Sequence, residues 1–193
     1  MLFVFQHHYN GTMKVIAIVG MAGSGKSEVS AFFEAKGYAR VRFGDITDEA
    51  VKALGLPLTE ENERPVRERI RHEHGMDAYA KLSLPRIEAG LKTRNVVVDG
   101  LYSWQEYSFL KNHFGQIFEV VAVYASPATR YGRLARRKVR PLTANEAESR
   151  DRAEIENMQK GGPIAMADYT VTNEGTMADL KRQVERIISK ING

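Results

Sequence analysis

A β-branched run, Val15–Val19 (VIAIV), leads directly into Gly20-Met21-Ala22-Gly23-Ser24-Gly25-Lys26-Ser27, and this junction restricts the fold more than any other feature of the chain. The eight residues fit the pattern G-x-x-x-x-G-K-[ST] in full. The apolar run suits a strand buried on both faces. After it, Val29, Phe32 and Phe33 recur at helical spacing from about Lys26 to Ala35, and Gly37 stops the helix. Strand, glycine-rich turn and helix in this order turn backbone N–H groups inward around a phosphate, with the helix N-terminus adding a favourable dipole. In such a loop Lys26 reaches the β- and γ-phosphates and the Ser27 hydroxyl ligates Mg²⁺.

The remainder keeps alternating. Tyr38–Phe43 reads as a second strand ending at Gly44-Asp45, and residues 46–93 read as mostly helical, over Asp48–Leu54, Glu60–His74 and Asp77–Leu91. The pattern then predicts a strand at Asn95–Val98, a helix at Ser103–Asn112, a strand at Phe118–Tyr124 and a helix at Pro127–Lys138. A helix over Glu146–Met158, a short strand Tyr169–Thr172 and a last helix striped by Leu180, Val184, Ile187, Ile188 and Ile191 complete it. Parallel strands need crossover connections, so the expected fold is a three-layer α/β/α parallel sheet. The blocks 46–93 and 139–160 exceed what crossovers require, and are expected as flaps over the carboxyl ends of the strands, where open α/β sheets bind ligands. Residues 1–12 read as a peripheral extension, leaving 13–193 as a single domain, and the His7-His8 pair within them reads as solvated.

Composition narrows the chemistry. The absence of cysteine removes thiol catalysis, zinc–thiolate sites and disulfides, and fits a reducing, cytoplasmic setting. No apolar run approaches the roughly 18–20 residues of a membrane span. The net charge is +4, but Arg130, Arg133, Arg136, Arg137, Lys138 and Arg140 fall within eleven positions that hold no acid. Such a block points to an anionic partner, a phosphorylated small molecule or a nucleic-acid backbone. Only Tyr131 interleaves an aromatic ring, which ranks nucleic acid last. On a helix Arg130, Arg133 and Arg137 share a face, and such guanidinium groups stabilise charge on a transferring phosphoryl group.

Three further sets of residues suggest roles. Asp99, at the carboxyl end of an apolar strand, is placed to hold Mg²⁺ or its waters, or to cap a turn. Asp45 ends the second strand, and either orients and deprotonates an acceptor hydroxyl or caps the helix that follows. Arg64, Arg67 and Arg71 share a helical face, with Tyr79 and Arg86 further on; they suit the anionic part of an acceptor, or ion pairs with the intervening glutamates.

Gly20–Ser27, Gly44-Asp45, Asp99-Gly100, the arginine helix opened by Ser126-Pro127, and Ala167–Gly175 (ADYTVTNEG) together resemble the P-loop kinases of small metabolites. The chain is similar to dephospho-CoA kinase, to nucleoside monophosphate kinases of the adenylate kinase type, and to an archaeal family described only as nucleotide-kinase-related. The resemblance spans residues 14–191. It departs from the adenylate kinase pattern after Asp99-Gly100, where Leu101-Tyr102 stand in place of Pro-Arg. It implies a core, an acceptor-binding helical region over about 46–93 and a mobile lid over about 130–160. It also implies that Gly20–Ser27 bind the ATP phosphates, that Arg133 and Arg137 are lid arginines, and that Asn173-Glu174-Gly175 border the adenine. ATP is preferred because no N-K-x-D motif is present and because the resemblance implies it. The expected activity is ATP- and Mg²⁺-dependent phosphoryl transfer to a nucleotide-like acceptor; a nucleotide-driven switch or assembly factor is the alternative.

Overall fold

The structure, a computed structural model, describes residues 13–138 and 141–193, so the 1–12 extension and Arg140 of the basic block lie outside the described residues. Five parallel strands, β1 (Val15–Val19), β2 (Ala39–Arg42), β3 (Val96–Asp99), β4 (Phe118–Tyr124) and β5 (Tyr169–Thr172), form one sheet in the order β2-β3-β1-β4-β5. β1 lies at its centre, pairing Ile16 with Val97 on one side and with Glu119 on the other. This is the expected α/β architecture.

Alternation along the strands divides the core in two. Val15, Ala17, Val19, Val96, Val98, Phe118 and Val120 face helices α4 (Ala78–Leu91) and α5 (Trp104–Phe114), meeting Ile87, Leu91, Leu110 and Phe114. Ile16, Ile18, Val97, Val121, Val123 and Val171 face α1 (Lys26–Ala35) and α9 (Met177–Asn192). Each fully buried aliphatic side chain of this kind contributes about 1.5–3 kcal/mol. The remaining helices are α2 (Gly44–Ala53) and α3 (Glu60–His74) before α4, then α6 (Pro127–Ala135), α7 (Ala144–Glu156) and the short α8 (Gly161–Ala165). A small third cluster, Ala22, Leu134 and Ala147 with Tyr131 and Leu142, joins the glycine loop to α6 and α7.

The helix expected at Asp48 begins at Gly44 instead, so Asp45 lies in its first turn, where a negative charge suits the helix dipole. The arginine helix ends at Ala135, short of Lys138, so Arg137 lies beyond it and the shared face of Arg130, Arg133 and Arg137 does not form. Basic side chains crowded at the end give no apolar stripe to carry the helix on. α8 gave no periodic signal because Gly161, Gly162 and Pro163 supply three of its five residues.

Candidate active site

The glycine loop is shaped by its backbone. Gly25 caps α1 in the left-handed region, at φ 99°, and a Cβ there would strike the Asn173 amide. Gly23, at φ 79°, lets the Arg130 carbonyl approach to where a side chain would stand. Asn173 in turn donates from Nδ2 to the Ser24 carbonyl at 2.8 Å, so the segment after β5 is bolted onto the loop. Arg133 donates to the Asn173 carbonyl at 2.9 Å. A cavity of about 370 Å³ opens here, lined by Gly23, Gly25, Lys26, Ser27, Arg133, Arg137, Asn173 and Gly175 among others. Arg133 Nη1 is buried and has no hydrogen-bond partner among the described residues, and the same holds for the fully buried Ser24 Oγ within the loop.

Lys26 is partly buried and donates to the Met21 carbonyl at 3.1 Å. Burial, then the Lys160 ammonium, push its pKa down to about 7, against the opposing pull of Glu154 and Asp99. Ser27 is exposed at the cavity. Asp99 is 5% exposed, and its Oδ2 accepts from Arg40 Nη2 at 2.5 Å.

Arg130 is buried and committed elsewhere. It grips Asp151 of α7 with two bonds of 2.8 and 2.6 Å and donates to the carbonyls of Ala22 and Ala125. That clamp fixes the middle of α7 to the glycine loop. Further along α7, Glu154 accepts from Lys160 at 2.8 Å, and Lys160 is fully buried with its ammonium 5.0 Å from the Tyr102 ring centroid. Burial works against the Glu154 charge, but Lys160, Lys26 and Arg150 outweigh it and hold its carboxyl at about 2. Burial and the carboxylates Asp99, Glu106 and Glu154 push Tyr102 up to about 12. These mutual influences link Lys26, Asp99, Tyr102, Glu106, Glu154 and Lys160 electrostatically. Sequence reasoning missed Arg40, Tyr102, Glu106, Arg150, Glu154 and Lys160. The capping box Ser103–Glu106 was readable as a helix start, but nothing in the string tells that its glutamate is buried.

On α3, Arg64 and Arg67 pair with Glu60 at 3.4 and 2.6 Å, and Arg67 also reaches Glu63 at 3.3 Å. Arg71 turns inward, its guanidinium carbon 4.8 Å from the Tyr79 ring centroid. Asp45 is half-exposed and bound by Arg42 at 2.7 Å, a residue that also holds Asp48. A second, more open depression of about 450 Å³ is lined by Trp104, Ile155, Gln159, Gly161 and Gly162 and carries no charge to hold a phosphate.

Among the described residues no group of three or more His, Asp or Glu side chains forms a metal cage. Mg²⁺ is usually held by one or two carboxylates, waters and substrate phosphates; of the two oxygen donors expected here, Ser27 lines the cavity, while one oxygen of Asp99 is held by Arg40.

A parallel sheet centred on β1, with a phosphate-shaped loop feeding α1, defines a P-loop protein of the small-molecule kinase fold. Its likeness to shikimate kinase from Acinetobacter baumannii has a TM-score of 0.61 at 22% identity, covering 93% of this chain and 94% of that one. For dephospho-CoA kinase from Campylobacter jejuni the TM-score is 0.52 at 14% identity, covering 94% and 98%. Residues 16–159 match the AAA domain family, and the chain belongs to it. It is also 38% identical over 185 residues to the UPF0200 protein TK1334 of Thermococcus kodakarensis, covering 92% of this chain and all of that one.

Proposed function

We propose that the protein is an ATP- and Mg²⁺-dependent phosphotransferase that passes the γ-phosphoryl group of ATP to an anionic, nucleotide-like small molecule. The observation that carries this reading is a buried donor without a partner among the described residues, Arg133 Nη1, on a residue that lines a cavity rimmed by the glycine loop. Buried groups left unpaired are rare in native proteins, and a phosphate oxygen would satisfy it. The names of the structural neighbours, kinases of small molecules, agree with it.

In this reading Gly20, Met21, Ala22, Gly23, Ser24 and Gly25 hold the phosphates through backbone N–H groups, while Asn173 and Gly175 border the adenine. Lys26, Arg133 and Arg137 neutralise charge that builds on the transferring group, which is most of what phosphoryl transfer asks of a protein. Ser27 and Asp99 would hold Mg²⁺, which supplies charge neutralisation on the phosphates. Arg64, Arg67 and Arg71 receive the acceptor from the 46–93 flap, and the 130–160 segment closes as a lid to exclude water. Asp45 would serve a hydroxyl acceptor as base once released from Arg42. Among the described residues no helix is long and apolar enough to cross a membrane, and we assign the protein to the cytoplasm.

ATP turnover with Mg²⁺, with and without nucleoside monophosphates and dephospho-CoA, tests the proposal. Stimulation by one acceptor, abolished by Lys26→Ala, is the expected result; slow turnover that ignores every acceptor would favour the switch instead. Asp45→Asn then sorts the chemistry. A hydroxyl acceptor loses roughly 10²–10⁴-fold in rate without its base, whereas a monophosphate, already anionic, loses little.

A further inference from the structure

Asn173 follows β5 directly, and its polar groups are engaged within the protein. Its backbone N–H donates to the Tyr124 carbonyl at 2.7 Å, which continues the pairing of β5 with β4. Arg133 Nη2 donates to its backbone carbonyl at 2.9 Å and to its Oδ1 at 3.3 Å. Its Nδ2 donates to the Ser24 carbonyl at 2.8 Å, and the residue is only 7% exposed although it lines the cavity. The next residue, Glu174, accepts from the Ser126 N–H and the Thr129 hydroxyl at the start of α6, the helix that carries Arg133. Asn173 is therefore held from three directions, by β4, by α6 and by the glycine loop.

The bond to Ser24 has a geometric consequence. A trans peptide is planar, so the C=O of one residue and the N–H of the next point in opposite directions. No cis peptide occurs among the described residues. Holding the Ser24 carbonyl toward Asn173 thus turns the Gly25 N–H away from it. A Cβ on Gly25 would strike the Asn173 amide, so loop and strut meet with no room for a side chain between them. Arg133 brings in the ligand side. Its guanidinium is planar and rigid; Nη2 is fixed on Asn173, while Nη1 is buried without a partner among the described residues. An anion taken by Nη1 would act on the same plane that grips Asn173.

We propose that Asn173 is a positioning residue for the triphosphate, a strut between Arg133 and Ser24 that sets the direction of the Gly25 N–H, and that it does not read the base. This deepens the phosphotransferase reading and rests on it for the ligand, a nucleoside triphosphate, but the strut acts on binding and its test needs no turnover.

Asn173→Ala leaves the backbone carbonyl for Arg133 and removes the bond to Ser24 with no change of charge. Calorimetric titration of the full chain with ATP, GTP and tripolyphosphate, each with Mg²⁺, reads the consequence. All three should weaken by the same factor, roughly tenfold, the scale of a buried carbonyl left unpaired, with the ATP-to-GTP ratio within about twofold of the parent's. A loss confined to ATP, a larger change in that ratio, or an unchanged tripolyphosphate affinity would each overturn the proposal. A merely structural role would lower the denaturation midpoint and leave the three dissociation constants alone. Unaltered protein supplies a second reading that survives a variant unable to fold. In NMR spectra the Asn173 side-chain amide should shift on saturation with tripolyphosphate, which carries no base; a fixed resonance, or no uptake of tripolyphosphate, would overturn the proposal. Protein that passes both tests and phosphorylates no acceptor keeps the strut and loses the phosphotransferase reading alone.

Discussion

The glycine loop and the buried cluster of charged side chains are built on different principles. In the loop, eight consecutive residues of backbone, with glycine conformations at positions 23 and 25, set the shape. In the cluster the charged side chains come from separate elements: Arg71 of α3, Glu106 of α5, Glu154 of α7 and Lys160 beyond it. Backbone donors are fixed by the fold and cost nothing further to orient. Buried side-chain charges hold one another in place, so each is conditional on its neighbours. The contrast predicts that substitutions will damage stability in the cluster and activity in the loop.

The sharpest break is Glu154→Ala. It leaves the fully buried Lys160 without its partner and should cost roughly 3–5 kcal/mol in chemical denaturation. Next comes Lys26→Ala, expected to lower acceptor-stimulated turnover by roughly 10²–10³-fold, as loss of a donor at developing charge does, with little change in the denaturation midpoint. If the two variants exchanged these phenotypes, the division between cluster and loop would fail.

The division also accounts for what could be read from sequence. The loop was legible because its chemistry is contiguous, and the strands because β1 and β4 are apolar on both faces. The charged cluster was not. Arg64, Arg67 and Arg71 share one helix face, yet two of them pair with glutamates while Arg71 lies over the ring of Tyr79, which a different helix supplies. Arg130 and Arg133 look alike in the basic block, but Asp151, twenty-one residues on, claims the first for structure. Spacing shows which side chains share a face; it does not show what the opposing element offers them.

Titration sharpens the comparison further. Burial raises the Glu106 carboxyl from 4.5 to about 7, so the folded state binds this proton more tightly than the unfolded chain does. Its contribution to stability is complete below about pH 4.5 and is lost as pH rises through about 7. Glu106→Gln lacks that loss, so its stability relative to the parent should improve by about 1–3 kcal/mol between pH 5 and pH 8. The smallest effect lies in the loop. With Lys26 held at about 7, a triphosphate favours its protonated form, so ATP binding near pH 8 should take up a fraction of a proton, read from calorimetry in buffers of different ionisation enthalpy. Lys26→Met should abolish that uptake.

Trp104, the sole tryptophan, stacks on Tyr107 with ring centroids 5.1 Å apart and lies so close to Gly162 that a Cβ there would stand 2.6 Å from its ring. Its backbone N–H reaches the Met158 carbonyl, and the ring is 36% exposed. The protein therefore holds an intrinsic fluorophore against the short stretch that joins α7 to α8. Any ligand that shifts this stretch alters the hydration of the indole, so emission colour records its position without a dye and without waiting for turnover.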